Sequence, residues 1–191
     1  MDISVIEDQN FEKIDFSQQG IQRAEYDNCS FINCIFSQTD LSDFVFAECT
    51  FTNCNLSLAK LEKTVFRDIV FKECKLVGLR FDTCSSFILS FSFINCILNH
   101  SSFYNLKLKK TSFKNSGMQE VDMTGADLSG SLFDNCDLKD ASFENSILEK
   151  ADFRTSFNYT IDPERNKLKK AKFSFPGVLG LLDKYDLDIS A

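Results

Sequence analysis

The sequence predicts a repeat solenoid whose chain turns a corner at every fifth residue. Large apolar residues occupy fifteen consecutive fifth positions from Phe11 to Phe81 and thirteen from Phe93 to Phe153. The position two residues before each of them is usually small, as at Cys29 and Ala126. A helix repeats its buried face about every 3.6 residues and a strand at every second residue, so neither explains a period of five. An unbroken period of this length indicates a repeat architecture.

Each five-residue unit therefore has one large inward residue, one small inward residue and three outward residues, which carry most of the polar side chains. Residues 1–10 precede the period and are the expected N-terminal cap. The two tracts are offset by two residues, which predicts a two-residue insertion within residues 82–92, with Ser86 or Ile88 in the central inward position. Residues 154–167 interrupt the period and are predicted to form a loop.

This pattern resembles the pentapeptide-repeat family, whose consensus is A(D/N)Lxx. The segments GADLSG at 125–130 and KADFRT at 150–155 match it closely. The resemblance implies an all-β fold, a right-handed quadrilateral β-helix in which each pentapeptide forms one side, expected here over residues 11–173. With four sides per coil, every fourth central residue lies in one column. One such column consists only of phenylalanine: Phe11, Phe31, Phe51, Phe71, Phe93, Phe113, Phe133, Phe153 and Phe173.

The C-terminal residues 174–191 leave the repeat and predict a short helix followed by a short strand. Ser174 and Pro176 are helix-start signals, and the apolar residues after them have helical spacing. The tail resembles that of the Qnr-type and mycobacterial gyrase-binding members of the family, and this resemblance implies an end-to-end homodimer. A cap folded on its own solenoid is the alternative. The residues of the expected dimer interface are Val178, Leu179, Leu181, Leu182, Tyr185, Leu187 and Ile189.

Residues suited to catalysis or to metal binding do not form a recognisable set. The eight cysteines lie two residues before a central position, and Cys84 does so if Ser86 is central. This position predicts that they pack as small buried side chains and do not form a CxxC-type zinc site. His100 is the single histidine, and the glycines do not form a phosphate-binding loop. We therefore expect no enzyme, no metal and no cofactor.

The N-terminal segment MDISVIEDQN has neither a basic region nor a long apolar run, so we expect no signal peptide and a cytoplasmic location. The most apolar stretch, residues 87–98, is too short and too polar to span a bilayer. The net charge of −7 disfavours direct contact with nucleic acid or with an anionic membrane.

The charges segregate along the chain. Residues 1–59 carry a net charge of −8, residues 60–114 carry +6, residues 115–164 carry −8 and residues 165–191 carry +3. Because successive blocks become successive coils, we expect acidic and basic zones along the rod. A general need for soluble surface is the simplest explanation of these charges.

The gyrase-binding relatives imply a sharper function, an acidic rod that mimics duplex DNA and binds a type II topoisomerase, either DNA gyrase or topoisomerase IV. The acidic residues expected to contact that partner are Asp122, Asp127, Asp134, Asp137, Asp140, Glu144, Glu149 and Asp152. The alternative is a rigid scaffold with another partner. The basic belt of residues 60–114, and the absence of an insertion longer than two residues within the solenoid, favour that alternative.

Overall fold

The computed structural model describes residues 4–189 and confirms the predicted fold class. The chain forms a parallel quadrilateral β-helix in which residues about twenty apart are hydrogen-bonded neighbours on successive coils. Residues 1–3 of the predicted cap and residues 190–191 of the predicted tail lie outside the described range. The inward columns define four sides. Side 1 holds the column from Phe11 to Phe173, side 2 that from Phe16 to Leu138, side 3 that from Ile21 to Phe143 and side 4 that from Ile6 to Leu168.

The regular elements within residues 4–189 are short. The strands are β1 (Val5–Glu7), β2 (Asn10–Glu12), β3 (Glu25–Asp27), β4 (Ser30–Ile32), β5 (Val45–Ala47), β6 (Thr50–Thr52), β7 (Val65–Arg67), β8 (Ile69–Lys72), β9 (Phe91–Ile94), β10 (Ser112–Lys114) and β11 (Leu132–Asp134). The helical segments are α1 (Phe16–Gln19) and the 3-10 turns Phe81–Thr83, Pro176–Leu181 and Asp183–Tyr185. On side 1 a parallel sheet has the order β11-β10-β9-β8-β6-β4-β2, and on side 4 a second has the order β1-β3-β5-β7.

The predicted phenylalanine column is a continuous stack. Its eight successive ring pairs have centroids 4.5–5.5 Å apart and interplanar angles of 4–23°. From Phe31 to Phe153 every ring of the column is fully buried. Rings from the adjacent sides meet this column edge-on, as Phe103 meets Phe113 at 5.9 Å. Both arrangements are favoured by the ring quadrupole, so the stack replaces a globular core.

Side chains at the small inward position form hydrogen bonds to the backbone as well as packing in the core. Ser101 Oγ donates to the carbonyl of Leu76 at 2.7 Å, and Thr64 Oγ1 donates to that of Leu41 at 2.8 Å. Cys74 Sγ makes the equivalent contact with the carbonyl of Phe51 at 3.3 Å. Each donor reaches the backbone of the preceding coil, so a buried polar group is satisfied at each such site. This explains why Ser, Thr and Cys share the position with Ala.

All eight cysteines are buried free thiols, as the repeat predicts. Burial raises the pKa of Cys49 to about 12 and that of Cys96 and Cys136 to about 11. A thiol reagent attacks the thiolate. We therefore expect the native protein to react slowly with such a reagent at mildly alkaline pH, and all eight thiols to react quickly in concentrated guanidinium chloride. Fast labelling of several thiols in the native protein would contradict this packing.

Most corners are made by a residue with left-handed backbone conformation two positions after the central residue. Asn53, Glu120 and Asp140 have φ angles of 52°, 55° and 58°. Asparagine tolerates this region well, and it recurs at the corner after side 1. There Asn115 Nδ2 donates to Asn95 Oδ1 at 3.1 Å and Asn135 Nδ2 donates to Asn115 Oδ1 at 3.0 Å, which forms a ladder along the rod.

The solenoid register begins before the predicted boundary at residue 11. Ile6 pairs with Tyr26 in the same register in which Phe11 pairs with Phe31, so residues 5–10 already lie on sides 4 and 1. Ile6 stands one period before Phe11, so the spacing of five also identifies it as a central residue. The described part of the predicted cap is therefore part of the first coil.

The insertion within residues 82–92 packs differently from the prediction. Neither Ser86 nor Ile88 takes the central position, since Ser86 is exposed and the Ile88 side chain is 53% exposed. Leu89 packs, partly buried, against the core, and Phe91 is buried with its ring centroid 5.3 Å from that of Phe81. The two extra residues let the chain bulge outward on side 4, so a ring from the start of side 1 fills the space. The sheet of side 4 ends at β7, next to this bulge.

The loop predicted at residues 154–167 is shorter in the structure. Ser156 is buried with its hydroxyl donating to the carbonyl of Phe133 at 2.7 Å, and Phe157 bridges to Asp137, so residues 154–157 still follow the repeat. Lys167 bridges back to Ile147. Between them the central positions fail because they hold Asn158 and Pro163. Tyr159 and Ile161 are buried in their place.

The C-terminal helix is present as two short 3-10 segments, Pro176–Leu181 and Asp183–Tyr185. A Cβ at Gly177 or Gly180 would collide with Tyr159, so these glycines allow the segment to lie close against the last coil. The predicted strand at Leu187–Ile189 does not form, since residues 187–189 have no regular structure. A short strand needs a paired neighbour, which this segment lacks within the described chain.

Candidate partner-binding surfaces

The eight acidic side chains of the predicted partner surface do not share one face. The repeat register distributes them two to a side. Asp134 and Asp152 lie on side 1, Asp137 and Asp140 on side 2, Asp122 and Glu144 on side 3, and Asp127 and Glu149 on side 4. Twenty consecutive residues cover all four sides of a coil. A run of acidic residues in the sequence is therefore distributed around the whole circumference of the rod.

Four of these aspartates have a role in the fold itself. Each precedes a central residue, and one carboxylate oxygen accepts the backbone N–H two residues later. The contacts are Asp122 with Thr124 at 2.9 Å, Asp127 with Ser129 at 3.2 Å, Asp137 with Lys139 at 3.3 Å and Asp152 with Arg154 at 3.2 Å. This turn contact accounts for Asp or Asn at this position of the repeat.

Nearby bases neutralise half of the predicted set. Arg154 and Lys172 lie 2.8 and 3.4 Å from Asp152 Oδ2. The contacts of the others are Lys109 with Asp127 at 3.3 Å, Lys114 with Asp134 at 3.8 Å and Arg165 with Glu144 at 2.9 Å. The hydrogen bond from Arg154 lowers the pKa of Asp152 to about 2. The negative charge of these carboxylates is compensated locally.

A less compensated group lies where side 2 turns into side 3. We call Glu120, Asp122 and Asp140 the acidic corner. Glu120 and Asp140 are twenty residues apart and occupy the same corner on successive coils. Within residues 4–189 neither Asp122 nor Asp140 has an ion-pair partner, and His100 Nδ1 lies 3.3 Å from Glu120. Glu120 was not among the predicted contact residues, although its spacing from Asp140 could have revealed it.

The end of the rod presents a second surface, which is apolar. Of the seven residues predicted for a dimer interface, Val178, Leu179, Tyr185, Leu187 and Ile189 are exposed, Leu182 is half-buried and Leu181 packs against the core. Phe175, which was not among the predicted residues, is 93% exposed. It lies two residues after the last ring of the column. A cluster of exposed large apolar side chains is typical of an interaction site.

Polar contacts hold this terminal segment against the last coil. Lys184 Nζ lies 2.7 Å from Asp162 Oδ1 and 2.9 Å from Glu164 Oε2. Tyr185 Oη donates to Glu164 Oε1 at 2.9 Å. The hydrogen bond from Lys184 lowers the pKa of both acids. These contacts attach the turn Asp183–Tyr185 to the last coil.

No group of three or more His, Cys, Asp and Glu side chains within residues 4–189 is arranged to hold a metal ion. Across the same residues, every helix is too short or too polar to cross a membrane.

A family model for the pentapeptide repeat region matches residues 21–92 and 86–157, which together cover more than half of the chain. The chain belongs to the pentapeptide-repeat family. A comparison with curated proteins finds no match.

Among solved structures, this pentapeptide-repeat chain is similar to QnrB1, described as a plasmid-mediated fluoroquinolone resistance protein. One trypsin-treated variant of QnrB1 is 19% identical with a TM-score of 0.63, and the match covers 98% of this chain and 100% of that one. A second trypsin-treated variant is 20% identical with a TM-score of 0.61, over 96% and 99% of the two chains. Full-length QnrB1 is 19% identical with a TM-score of 0.53, over 96% and 100%. At these identities the likeness shows the fold.

Proposed function

We propose that this pentapeptide-repeat protein acts by binding rather than by catalysis, as an acidic rod that occupies the DNA site of a type II topoisomerase, DNA gyrase or topoisomerase IV. Such binding would change the response of the enzyme to quinolones. The observation that carries the proposal is the acidic corner, whose carboxylates have no ion pair with a lysine or arginine among residues 4–189. The likeness to QnrB1 over nearly the whole chain supports it.

The geometry of the corner suits a surface that takes the place of DNA phosphates. Successive coils of a parallel β-helix are about 4.8 Å apart, so Glu120 and Asp140 present a short row of carboxylates along the rod edge. A protein groove that binds duplex DNA is lined with Lys and Arg, which pair with carboxylates as they do with phosphates. The rod is rigid, because each coil is hydrogen-bonded to its neighbours, so little conformational freedom is lost on binding.

We further propose that the apolar rod end joins two copies through Val178, Leu179, Leu182, Tyr185, Leu187 and Ile189, with Phe175 added to the interface. A two-fold axis at this end would place the acidic corners of both copies symmetrically about the centre of the dimer. A topoisomerase with two-fold symmetry would then meet both corners at once, which raises the avidity of binding.

We expect the triple variant Glu120→Gln, Asp122→Asn, Asp140→Asn to bind a gyrase fragment at least about tenfold more weakly at low salt, because screening is weak there. The amides keep the size of the side chains, and the amide oxygen that replaces the Asp122 carboxylate can still accept the turn hydrogen bond from Thr124. The measurement is a titration of the labelled protein with the gyrase fragment across a series of salt concentrations.

A matched control removes the same number of charges elsewhere. Asp127→Asn, Asp134→Asn and Asp152→Asn lie on sides 4 and 1, beside Lys109, Lys114 and Arg154. This variant should bind as the wild type does. Equal loss in both variants would contradict the acidic corner as the contact surface. A wild-type protein that does not bind any gyrase fragment at low salt would exclude the topoisomerase partner and leave the scaffold function.

The scaffold alternative has one specific observation in its favour, the lysines of side 4. A uniform DNA mimic would not carry such a surface, and the C-terminal half of side 4 contains Lys107, Lys109, Lys110, Lys150, Lys167, Lys169 and Lys170.

A further inference from the structure

Side 4 is divided into an acidic half and a basic half of equal and opposite charge. We call the residues that one coil contributes to side 4 a level. The nine levels within residues 4–189 are residues 5–8, 25–28, 45–48, 65–68, 85–90, 107–110, 127–130, 147–150 and 167–170. The first four levels carry Glu7, Asp8, Glu25, Asp27, Glu48 and Asp68 against Arg67, so six acids and one base give −5. The last four carry seven lysines against Asp127 and Glu149, so seven bases and two acids give +5.

Contacts within the chain leave most of these charges unpaired. Among the described residues, the ion pairs on side 4 are Arg67 with Glu25 at 3.7 Å and Lys109 with Asp127 at 3.3 Å. The acidic half is a parallel sheet of four strands, β1, β3, β5 and β7. Side 4 therefore presents a surface with two strong and opposite fields.

The boundary between the halves is the bulge made by the two-residue insertion. Its level, residues 85–90, carries no charge. It exposes two large apolar side chains, Phe87 at 77% and Ile88 at 53%. Four levels lie on each side of it, so the bulge stands at the centre of the face.

We infer that side 4 is a docking surface for a second copy of this chain, laid antiparallel about a two-fold axis that passes through the bulge. That axis brings the acidic half, with a net charge of −5, against the basic half, with +5, while Glu48 of the third level faces Asp127 of the seventh. Glu7 and Asp8 of the first level then face Lys167, Lys169 and Lys170 of the ninth, and Asp68 of the fourth level faces Lys107, Lys109 and Lys110 of the sixth. Phe87 packs near the axis against its counterpart. Such an interface is isologous and closes on itself.

The charges also set the direction of docking. A parallel arrangement would place acid on acid and base on base, and like charges across an interface are strongly unfavourable. Nine levels at about 4.8 Å span roughly 38 Å, and an outward row of three residues is about 10 Å wide. About 400 Å² per copy is roughly half of the area in a standard interface. The contact is therefore weak, reversible and sensitive to salt.

This contact does not rest on the proposed function, and it differs from the apolar contact at the rod end. Both can form on one protomer, in which case association continues beyond a dimer. They respond differently to salt, because screening weakens an electrostatic contact and leaves an apolar one intact. The variant Leu187→Glu, which adds a charge at the rod end, isolates the contact on side 4.

The test is a charge exchange between the first and the ninth levels, measured by sedimentation at low salt in the full chain carrying Leu187→Glu. One variant carries Lys167→Glu, Lys169→Glu and Lys170→Glu, and a second carries Glu7→Lys and Asp8→Lys. Each alone places like charges together at both ends of the interface, so we expect its self-association to weaken by about tenfold or more. Mixed together, the two variants restore opposite charges at both ends, so the mixture should associate as the Leu187→Glu parent does. A folding defect could not produce this rescue.

A second measurement tests whether Phe87 lies near the two-fold axis of the dimer. Phe87→Cys should give a covalent dimer with a short bifunctional thiol reagent at low salt and much less at high salt, because the eight native cysteines are buried. The inference is overturned if the Leu187→Glu protein is monomeric at low salt and high concentration, if the mixture associates no better than its components, or if Phe87→Cys does not cross-link.

Discussion

Replacing Phe113 by alanine is expected to lower the free energy of unfolding by about 3–5 kcal/mol, the range for a buried aromatic ring truncated to a methyl group. Phe113 is fully buried, with the rings of Phe93 and Phe133 at centroid distances of 5.2 and 4.9 Å. The backbone on every side is held by hydrogen bonds between coils, so the cavity cannot collapse. Phe133→Ala should behave in the same way, because its ring is stacked at 4.5 Å from Phe153.

The matched control is Phe157→Ala, which removes the same ring from an outward position. Phe157 is 45% exposed, and its backbone, not its ring, connects it to Asp137 in the adjacent coil. Urea denaturation of the three variants separates the two cases, and we expect Phe157→Ala to change the free energy of unfolding by less than about 1 kcal/mol. If Phe113→Ala is no less stable than this control, the stacked column does not provide the core.

The substitution Leu187→Glu is expected to convert a C-terminal dimer into a monomer. Leu187 is 56% exposed in the single chain, so a charge there costs the monomer little. In an apolar interface the same carboxylate would be buried without a partner, which is far more costly. Sedimentation at high salt is the measurement, because the electrostatic contact on side 4 is weak under that condition.

Leu58→Glu provides the control for this prediction. Leu58 is 57% exposed and lies at a left-handed corner with φ 58°, and glutamate already occupies equivalent corners at Glu48, Glu73 and Glu120. This variant should sediment as the wild type does. A wild-type protein that is monomeric at high salt would contradict the apolar rod end as an interface.

The period of five was enough to identify the family, the all-β solenoid and the phenylalanine column. These features are readable because the fold is nearly one-dimensional: a residue contacts residues about twenty positions away, so a regular spacing in sequence is a regular spacing in space. The same rule could have assigned each acidic residue to a side, as it does for Glu120 and Asp140. The net charge of residues 115–164 alone does not show this distribution around the rod.

Where the period fails, the sequence left the structure undecided. It indicated the insertion but not how the insertion packs. Phe91 is buried because the bulge opens a space beside Phe81, and the spacing of residues does not show this. It indicated a C-terminal helix but neither its 3-10 form nor its contact with Tyr159.

The sequence by itself determined which residues face inward, because the hydrophobic effect acts on a strict local repeat and the period records it directly. The tertiary structure decided which outward charges are compensated, as at Asp152, and which have no ion-pair partner within residues 4–189, as at Asp140. It also decided that the acidic and basic halves of side 4 meet at an exposed apolar bulge. The physical reason is that ion pairs join flexible side chains on different coils and sides, and their geometry is fixed only when the coils are stacked.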